Sequence, residues 1–282
     1  MKRLDVKFEL DDIAPGGHIG LIALATDYNI ETDLRRMLPE GVEMFTNRVL
    51  NANPVTIENL RSMSGDITRA AAGILPGKDL DVMIYGCTSG TAAIGESEVT
   101  TKKHAAQPNI PCTNPIAAAR AALNAFNSKK ISILTPYTQS VNAVLAEQFR
   151  DQGFEVLNID GFGMKDDIKM TRIPLKAILE GALQICDPKA DSLFISCTAI
   201  RAAAVAEELE VLLGKPVVTS NQALAWHSLQ LLKNSNPISG FGSLFRLQLG
   251  GSPPNLRACR RTLPLNPTEG QQRRSRWSAA YA

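Results

Sequence analysis

Asp81-Val-Met-Ile-Tyr-Gly-Cys87-Thr-Ser-Gly-Thr-Ala-Ala93 aligns without a gap on Asp191-Ser-Leu-Phe-Ile-Ser-Cys197-Thr-Ala-Ile-Arg-Ala-Ala203, 110 residues further along the chain. Each copy opens on an Asp and continues in an apolar run short enough for a buried strand. Each then reaches a Cys-Thr step and enters an Ala-rich stretch that reads as helix. A cysteine at a strand-to-helix junction stands where open parallel sheets bind ligands, just beyond the carboxyl ends of the strands. One such cysteine per copy predicts two half-sites facing each other, an arrangement suited to two-thiol chemistry on a small molecule.

The repeat reaches further. Ile19-Gly-Leu-Ile-Ala-Leu-Ala-Thr26-Asp-Tyr-Asn29 precedes the first copy, and Ile131-Ser-Ile-Leu-Thr-Pro-Tyr137-Thr-Gln-Ser-Val-Asn142 precedes the second at nearly the same offset. Downstream, Pro111-Cys-Thr-Asn114 has a counterpart in Pro216-Val-Val-Thr-Ser-Asn221. Each half therefore reads as strand, helix, strand, helix, Cys-bearing strand, helix, short strand. That alternation predicts an α/β fold of two similar lobes, each a parallel sheet flanked by helices. The lobes are expected to be related by a pseudo-twofold axis, with the site in the cleft between them. Lobe 1 spans residues 15–114, completed by 221–246, and lobe 2 spans 115–220. From Leu247 to residue 282 periodicity is lost and arginines crowd in among Pro, Gly, Gln and Ser, so this tail is expected to be disordered. The change of character is abrupt enough that a shift of reading frame near the end of the gene would produce it.

Composition narrows the class. A chain of 282 residues with 44% apolar and 21% charged residues has the make-up of a water-soluble globular protein with room for two cores. No apolar run approaches the roughly 20 residues of a membrane span, and no signal-peptide pattern follows Met1. The five cysteines (Cys87, Cys112, Cys186, Cys197, Cys259) are odd in number and lack CxxC spacing. Disulfides and a zinc site are not expected, and a reducing cytoplasm is. A net charge of +2 gives no electrostatic ground for a nucleic-acid partner.

A free thiol has a pKa near 8.5, so little of it is nucleophilic thiolate at neutral pH. A helix N-terminus supplies unpaired N–H groups and partial positive charge that favour the thiolate and bind an anion. Thr88 and Ser89 after Cys87, and Thr198 after Cys197, add hydroxyls to that cradle. The plain alternative is that a free cysteine only packs. It applies to Cys112 and Cys186 more readily than to the repeated pair.

The segments ending at Asn29 and at Tyr137, with Gly86-Cys-Thr-Ser-Gly90 and Ser196-Cys-Thr198, resemble the aspartate/glutamate racemase superfamily. The similarity covers residues 15–246. Within the superfamily the chain is most similar to the branch of maleate cis-trans isomerase and arylmalonate decarboxylase. Phe45-Thr-Asn-Arg48-Val and Cys87-Thr-Ser-Gly-Thr resemble the isomerase-like proteins encoded with bacterial ectoine-utilisation enzymes. The resemblance implies a cofactor-independent enzyme in which Cys87 adds to a substrate double bond and Cys197 is the opposing acid or base. It implies carboxylate contacts from Asn29 and Tyr137, and, on the decarboxylase pattern, a dioxyanion hole of Thr88, Ser89 and Tyr137. The decarboxylase pattern keeps only the second cysteine. Having both favours isomerase or racemase chemistry over decarboxylation. Where the isomerase pattern has a carboxylate-binding Asn, this chain has Asp166-Asp167, so an ammonium-bearing substrate is expected at Asp167 and maleate is in doubt. A non-catalytic small-acid binding protein is the reading from another class, and assembly into a homo-oligomer is left open.

Other candidates are weaker. His18, His104 and His227 share no spacing, and Ala225-Trp-His-Ser reads as a helix beside the cleft. Gly161-Phe-Gly163 and Gly240-Phe-Gly242 read as turns, because no phosphate-binding Lys or helix follows them. No cofactor or metal is indicated. Glu31, Asp33, Glu96 and Glu98 read as solvated helix faces. Arg48 and Arg201 read as structural ion-pair partners in preference to substrate ligands.

Overall fold

Apolar strand-length runs alternate with amphipathic and alanine-rich stretches, and in a computed structural model, which describes residues 4–77 and 80–249, they form two separate sheets. The first half runs β1 (Gly17–Leu24), α1 (Ile30–Met37), β2 (Val42–Val49), α2 (Ile57–Ser62), α3 (Ser64–Ala72), β3 (Val82–Tyr85), α4 (Thr88–Ile94), α5 (Glu96–Ala106), β4 (Cys112–Thr113) and α6 (Pro115–Ala125). The second half runs β5 (Lys130–Thr135), α7 (Gln139–Asp151), β6 (Glu155–Gly161), α8 (Asp167–Met170), α9 (Leu175–Ile185) and β7 (Ser192–Ile195). A 3-10 turn (Ala202–Val205), α10 (Ala206–Leu213), β8 (Val217–Thr219), α11 (Ser220–Leu231) and a second 3-10 turn (Ser243–Arg246) complete it. Strand order is β2-β1-β3-β4 in one sheet and β6-β5-β7-β8 in the other, with every pair parallel. The same order twice is the duplication expected from the sequence.

The repeated residues owe their recurrence to equivalent backbone bonds. Asp81 opens the first copy by accepting from the His18 amide at 2.7 Å, at the start of β1. Asp191 does the same for β5, accepting from the Lys129 and Lys130 amides at 2.8 Å. At the far ends, Gly86 N–H donates to Ile22 and Ser196 N–H to Leu134, both at 2.8 Å. Each cysteine thus leaves the carboxyl end of a strand next to the central one of its sheet.

β1, β3 and β7 are buried along their whole length, and each fully buried Ile or Leu in them contributes about 1.5–3 kcal/mol. Helix starts are set locally. Asn114 caps α6 through the Ile116 and Ala117 amides at 3.0 and 2.9 Å, with Pro115 at the first helical position. Thr219 and Gln222 form a capping box on α11. That helix leaves β8 and packs against α6 and α1 of the first half.

The packed body runs past residue 246. Leu247 is buried, its carbonyl accepts from Trp226 Nε1 at 3.0 Å, and the Leu249 amide donates to Gln230 at 3.1 Å. Leu247 itself therefore belongs to the body and not to the tail. The rest of the expected tail, with Cys259 and its arginines, lies outside the described residues. Among the described residues no helix is long and apolar enough to cross a membrane.

Candidate active site

Two residues past β3, Cys87 takes the N-cap position of α4, with extended backbone (φ −145, ψ 114). Its sulfur stands where a Ser or Asp oxygen usually caps a helix, accepting from the Gly90 amide at 3.2 Å. Ser89 Oγ lies 3.7 Å from the same sulfur. Gly90 has no side chain for a reason of space. A Cβ there would sit 2.9 Å from Cys87 Sγ and 2.8 Å from Tyr85 Oη. The helix start was expected to acidify the thiol. Instead burial, with the Asp167 carboxylate nearby, pushes the Cys87 thiol up to about 12, against the opposing effect of the Gly90 amide and Ser89. Desolvation of a thiolate outweighs one N–H group and part of a helix dipole.

Cys197 differs in backbone. Its φ is +104, and no helix follows directly. The helix expected at this Cys-Thr step is delayed to the 3-10 turn at Ala202. Thr198 explains the delay, because its hydroxyl and carbonyl are both engaged elsewhere. Its Oγ1 donates to Asp27 Oδ2 at 2.8 Å and lies 3.2 Å from the Gly86 carbonyl. Its own carbonyl accepts from the Asn29 and Asn221 side-chain amides. A non-glycine residue held at such a φ costs on the order of 1–3 kcal/mol, which the surrounding bonds must offset. The Cys197 amide donates to Ser220 Oγ at 3.0 Å, and that hydroxyl is also 3.0 Å from Thr88 Oγ1. Ser220 thereby ties the two cysteine turns together. Burial and then Asp167 push the Cys197 thiol up, opposed by the Tyr137 hydroxyl and the Ala199 amide.

Tyr137 is buried, and its hydroxyl lies close enough to Cys197, Cys87 and Ser89 for each to act on it electrostatically. Asp167, at the first position of α8, is buried as well. One oxygen accepts from Thr26 Oγ1 and lies 3.4 Å from Asn51 Nδ2, and its amide donates to Asn53 at 3.2 Å. Burial, with Asp27 nearby, raises its carboxyl above the usual range. The neighbouring Asp166 caps α8 instead, accepting from the Lys169 amide. Two further bonds close the seam above this site: Val55 N–H to the Lys165 carbonyl at 2.8 Å, and Tyr28 Oη to the Ile168 carbonyl at 3.4 Å.

The structure thus brings Cys87, Thr88, Ser89, Tyr137, Asp167, Cys197 and Thr198 into one buried cluster, every member at most 7% exposed. Asn29 is there too, but its amide nitrogen is spent on Asp33, Thr198 and Ile200 and has no N–H left for a substrate carboxylate. Two acidic participants were not read as site residues in the sequence. Asp27 accepts from the Asn29 and Ile30 amides, both at 2.9 Å, and burial raises its carboxyl. Asp33 is buried at 3% instead of lying on a solvated face, and burial pushes it up to about 6. A signal existed: Ile30, Asp33, Leu34 and Met37 share helical spacing, which places Asp33 on the inward stripe of α1.

The remaining candidates have structural partners. Arg48 donates to the Leu24 and Asp27 carbonyls at 2.7 Å and pairs with Glu31, while Arg201 donates to the Ile173 carbonyl at 3.2 Å. Glu96 pairs with Arg120 at 2.6 Å, and Glu98 bonds Ser64. His18 lies between Asp12 and Asp81, His104 bonds the Ile110 carbonyl, and His227 bonds Thr113 with burial pushing it down to about 4. Cys112 and Cys186 are half-buried and bond backbone carbonyls. Among the described residues no three His, Cys, Asp or Glu side chains are grouped as metal ligands.

Comparison with known proteins points the same way. The chain is 25% identical over 242 residues to the maleate isomerase of Pseudomonas putida, covering 80% of this chain and 96% of that one. It is 24% identical over 139 residues to the arylmalonate decarboxylase of Bordetella bronchiseptica, covering 48% and 58%. The fold is similar to that of a cysteine-to-alanine variant of the maleate isomerase Iso from Pseudomonas putida S16 with maleate, at TM-score 0.75 and 19% identity over 81% of this chain and 97% of that one. It is equally similar to a cysteine-to-serine variant of Nocardia farcinica maleate cis-trans isomerase carrying a covalently bound succinylcysteine intermediate, at TM-score 0.74 and 19% identity over 82% and 98%. A family model described as arylmalonate decarboxylase matches residues 90–245, more than half of the sequence and all of the second sheet. By that match the chain belongs to the arylmalonate decarboxylase family, which it shares with the maleate isomerases inside the Asp/Glu racemase superfamily.

Proposed function

We propose that this protein is a cofactor-independent isomerase or racemase of a small carboxylic or amino acid, with Cys87 and Cys197 as its two catalytic thiols. The observation that carries the reading is the common environment of the pair. Both thiols are buried, and Ser220 Oγ, 3.0 Å from the Cys197 amide and 3.0 Å from Thr88 Oγ1, joins their two turns, with Asp167 near both. Two mechanisms fit. In the racemase route one thiolate takes the α-proton, an S–H bond forms, and the electron pair passes into an enediolate. The opposite thiol then delivers its proton to the other face of the carbon and becomes the thiolate. Thr88, Ser89 and Tyr137 supply the hydroxyls that would stabilise the enediolate oxygens. In the isomerase route a thiolate adds to a conjugated alkene, the former double bond rotates in the resulting enolate, and expulsion of the same thiolate restores the alkene in trans geometry.

Asp167 favours an amino-acid substrate. An ammonium beside it would be paired, and the charge that raises both thiol pKa values would be neutralised as the ligand enters. A dicarboxylate would add to that charge. The substrate would thus activate the thiols that act on it. An ectoine-related substrate is the narrower form of the proposal and rests on the resemblance through Phe45–Val49 and Cys87–Thr91. Association of copies of the chain is also part of it, since Leu4, Val6, Phe8 and Leu10 are exposed. Light scattering tests that point.

The deciding experiment is proton exchange in heavy water, followed by NMR, over a panel of D- and L-amino acids, maleate and aryl-substituted malonates. The expected result is α-proton exchange with inversion for one amino-acid class. Efficient turnover of maleate by the unmodified protein would overturn the ammonium preference. Release of carbon dioxide from a malonate would establish the decarboxylase alternative. Calorimetric binding of an acid with no exchange, isomerisation or decarboxylation would assign a binding protein.

A further inference from the structure

Behind Cys197 four polar atoms close a ring of alternating donors and acceptors. Asn29 Nδ2 donates to Asp33 Oδ2 and to the Thr198 carbonyl, both at 3.0 Å. Asn221 Nδ2 donates to the same two acceptors at 2.9 and 2.8 Å. An amide nitrogen carries two hydrogens, so the ring uses every side-chain N–H of both asparagines, with the Ile200 carbonyl sharing a proton of Asn29 at 3.3 Å. All four residues are buried. The carbonyl in this ring belongs to the residue directly after Cys197, whose φ of +104 sets where the sulfur points.

Asp33 has no hydrogen bond to a thiol, and the mechanism above gives it no task. We propose that Asp33 is a positioning residue, which through Asn29 and Asn221 holds the Thr198 carbonyl and so keeps the Cys197 turn in the conformation that places its thiol in the cleft. An ionised acceptor strengthens both amide bonds. Without it, two buried N–H groups lose their partner, the asparagines turn away, and the carbonyl is freed to relax toward helical geometry. The effect on turnover rests on the two-thiol reading of the site. The effect on the Cys197 thiol does not.

The test is the rate at which iodoacetamide alkylates Cys197 and Cys87 in the full-length protein, read peptide by peptide by mass spectrometry. In Asp33→Ala and in Asn221→Ala the labelling of Cys197 is expected to rise about tenfold or more, with Cys87 within about twofold of the parent. Asp33→Asn restores the parent rate at Cys197, because its carbonyl oxygen can accept from both amides. Turnover moves the opposite way, falling through kcat with KM little changed in the alanine variants and recovering in Asp33→Asn. Equal acceleration at both thiols would mark general loosening and overturn the proposal. So would parent-like labelling of Cys197 in a folded Asn221→Ala, or failure of Asp33→Asn to rescue. If no acid is ever turned over, the function reading falls while the labelling rates still decide this one.

Discussion

Asp167 lets one ligand charge shift the electrostatics of the site, since burial and then this same carboxylate raise both thiols. Asp167→Asn should acidify Cys87 and Cys197 together, which thiol labelling against pH would show. It should also weaken an amino-acid ligand by about tenfold or more, the equivalent of about 1.4 kcal/mol, and admit dicarboxylates. An unchanged labelling profile would remove Asp167 from the site. Cys87→Ser and Cys197→Ser should each cost turnover on the order of a hundredfold or more, because a hydroxyl is far less acidic than a thiol. Either variant still racemising at the parent rate excludes the two-base route. Asp33 also has a stability signature. Burial raises its folded pKa to about 6, above the ordinary 3.8, so the folded state binds its proton more tightly. Its contribution is fully present below pH 3.8 and lost as pH rises through 6. Asp33→Asn, neutral throughout, should therefore be more stable than the parent by about 1–3 kcal/mol at pH 7 and equal to it near pH 4, as urea melts at the two pH values would show.

Between elements, the two halves diverge at one junction. α4 begins immediately after Cys87, and Gly90 allows the sulfur to cap it. Gly90→Ala should displace Cys87 Sγ, Tyr85 Oη or Met63 Cε, costing about 1–3 kcal/mol of stability and lowering Cys87-dependent turnover by about tenfold. A crystal structure of the variant with Cys87 unmoved and full activity would count against the capping role. The strand and helix pattern, the duplication and the two thiols were all legible in the sequence, because they are written in local periodicity and in two matched segments. The irregular stretch after Cys197 was not. Its Ala-rich composition favours helix, and what prevents helix is a set of bonds to residues far away in sequence. Thr198 reaches Asp27 across 171 positions, and Asn221 reaches Asp33 across 188. Thr88 meets Ser220 across 132. Short polar residues carry no periodic signal of such pairings, so Asp27, Ser220 and Asn221 emerge only once both sheets are assembled.

On the scale of the whole molecule, the C-terminal end of the described chain closes the core. Leu244 and Leu247 are buried, Trp226 bonds the Leu247 carbonyl, and Ser243 bonds Glu210 through its amide and hydroxyl, both at 2.7 Å. A chain ending at Phe241 should be less stable than one ending at Leu249 by about 4 kcal/mol or more, on the order of two buried leucines. Equal denaturant midpoints would show that this segment adds nothing. Loss of sequence periodicity near residue 247 misplaced the edge of the body, because the contacts that hold Leu247 come from α11 and not from its neighbours in sequence. The seam over the site has a consequence for kinetics. Asp167 and the stretch from Lys165 to Ile168 are joined to Thr26, Tyr28, Asn51, Asn53 and Val55, and both cysteines of the site are buried. Ligand entry is expected to require that seam to part. Arrival is then a gated event: in stopped-flow mixing the observed rate climbs with ligand concentration and levels off at the opening frequency of the gate, a ceiling that no improvement in ligand fit can raise.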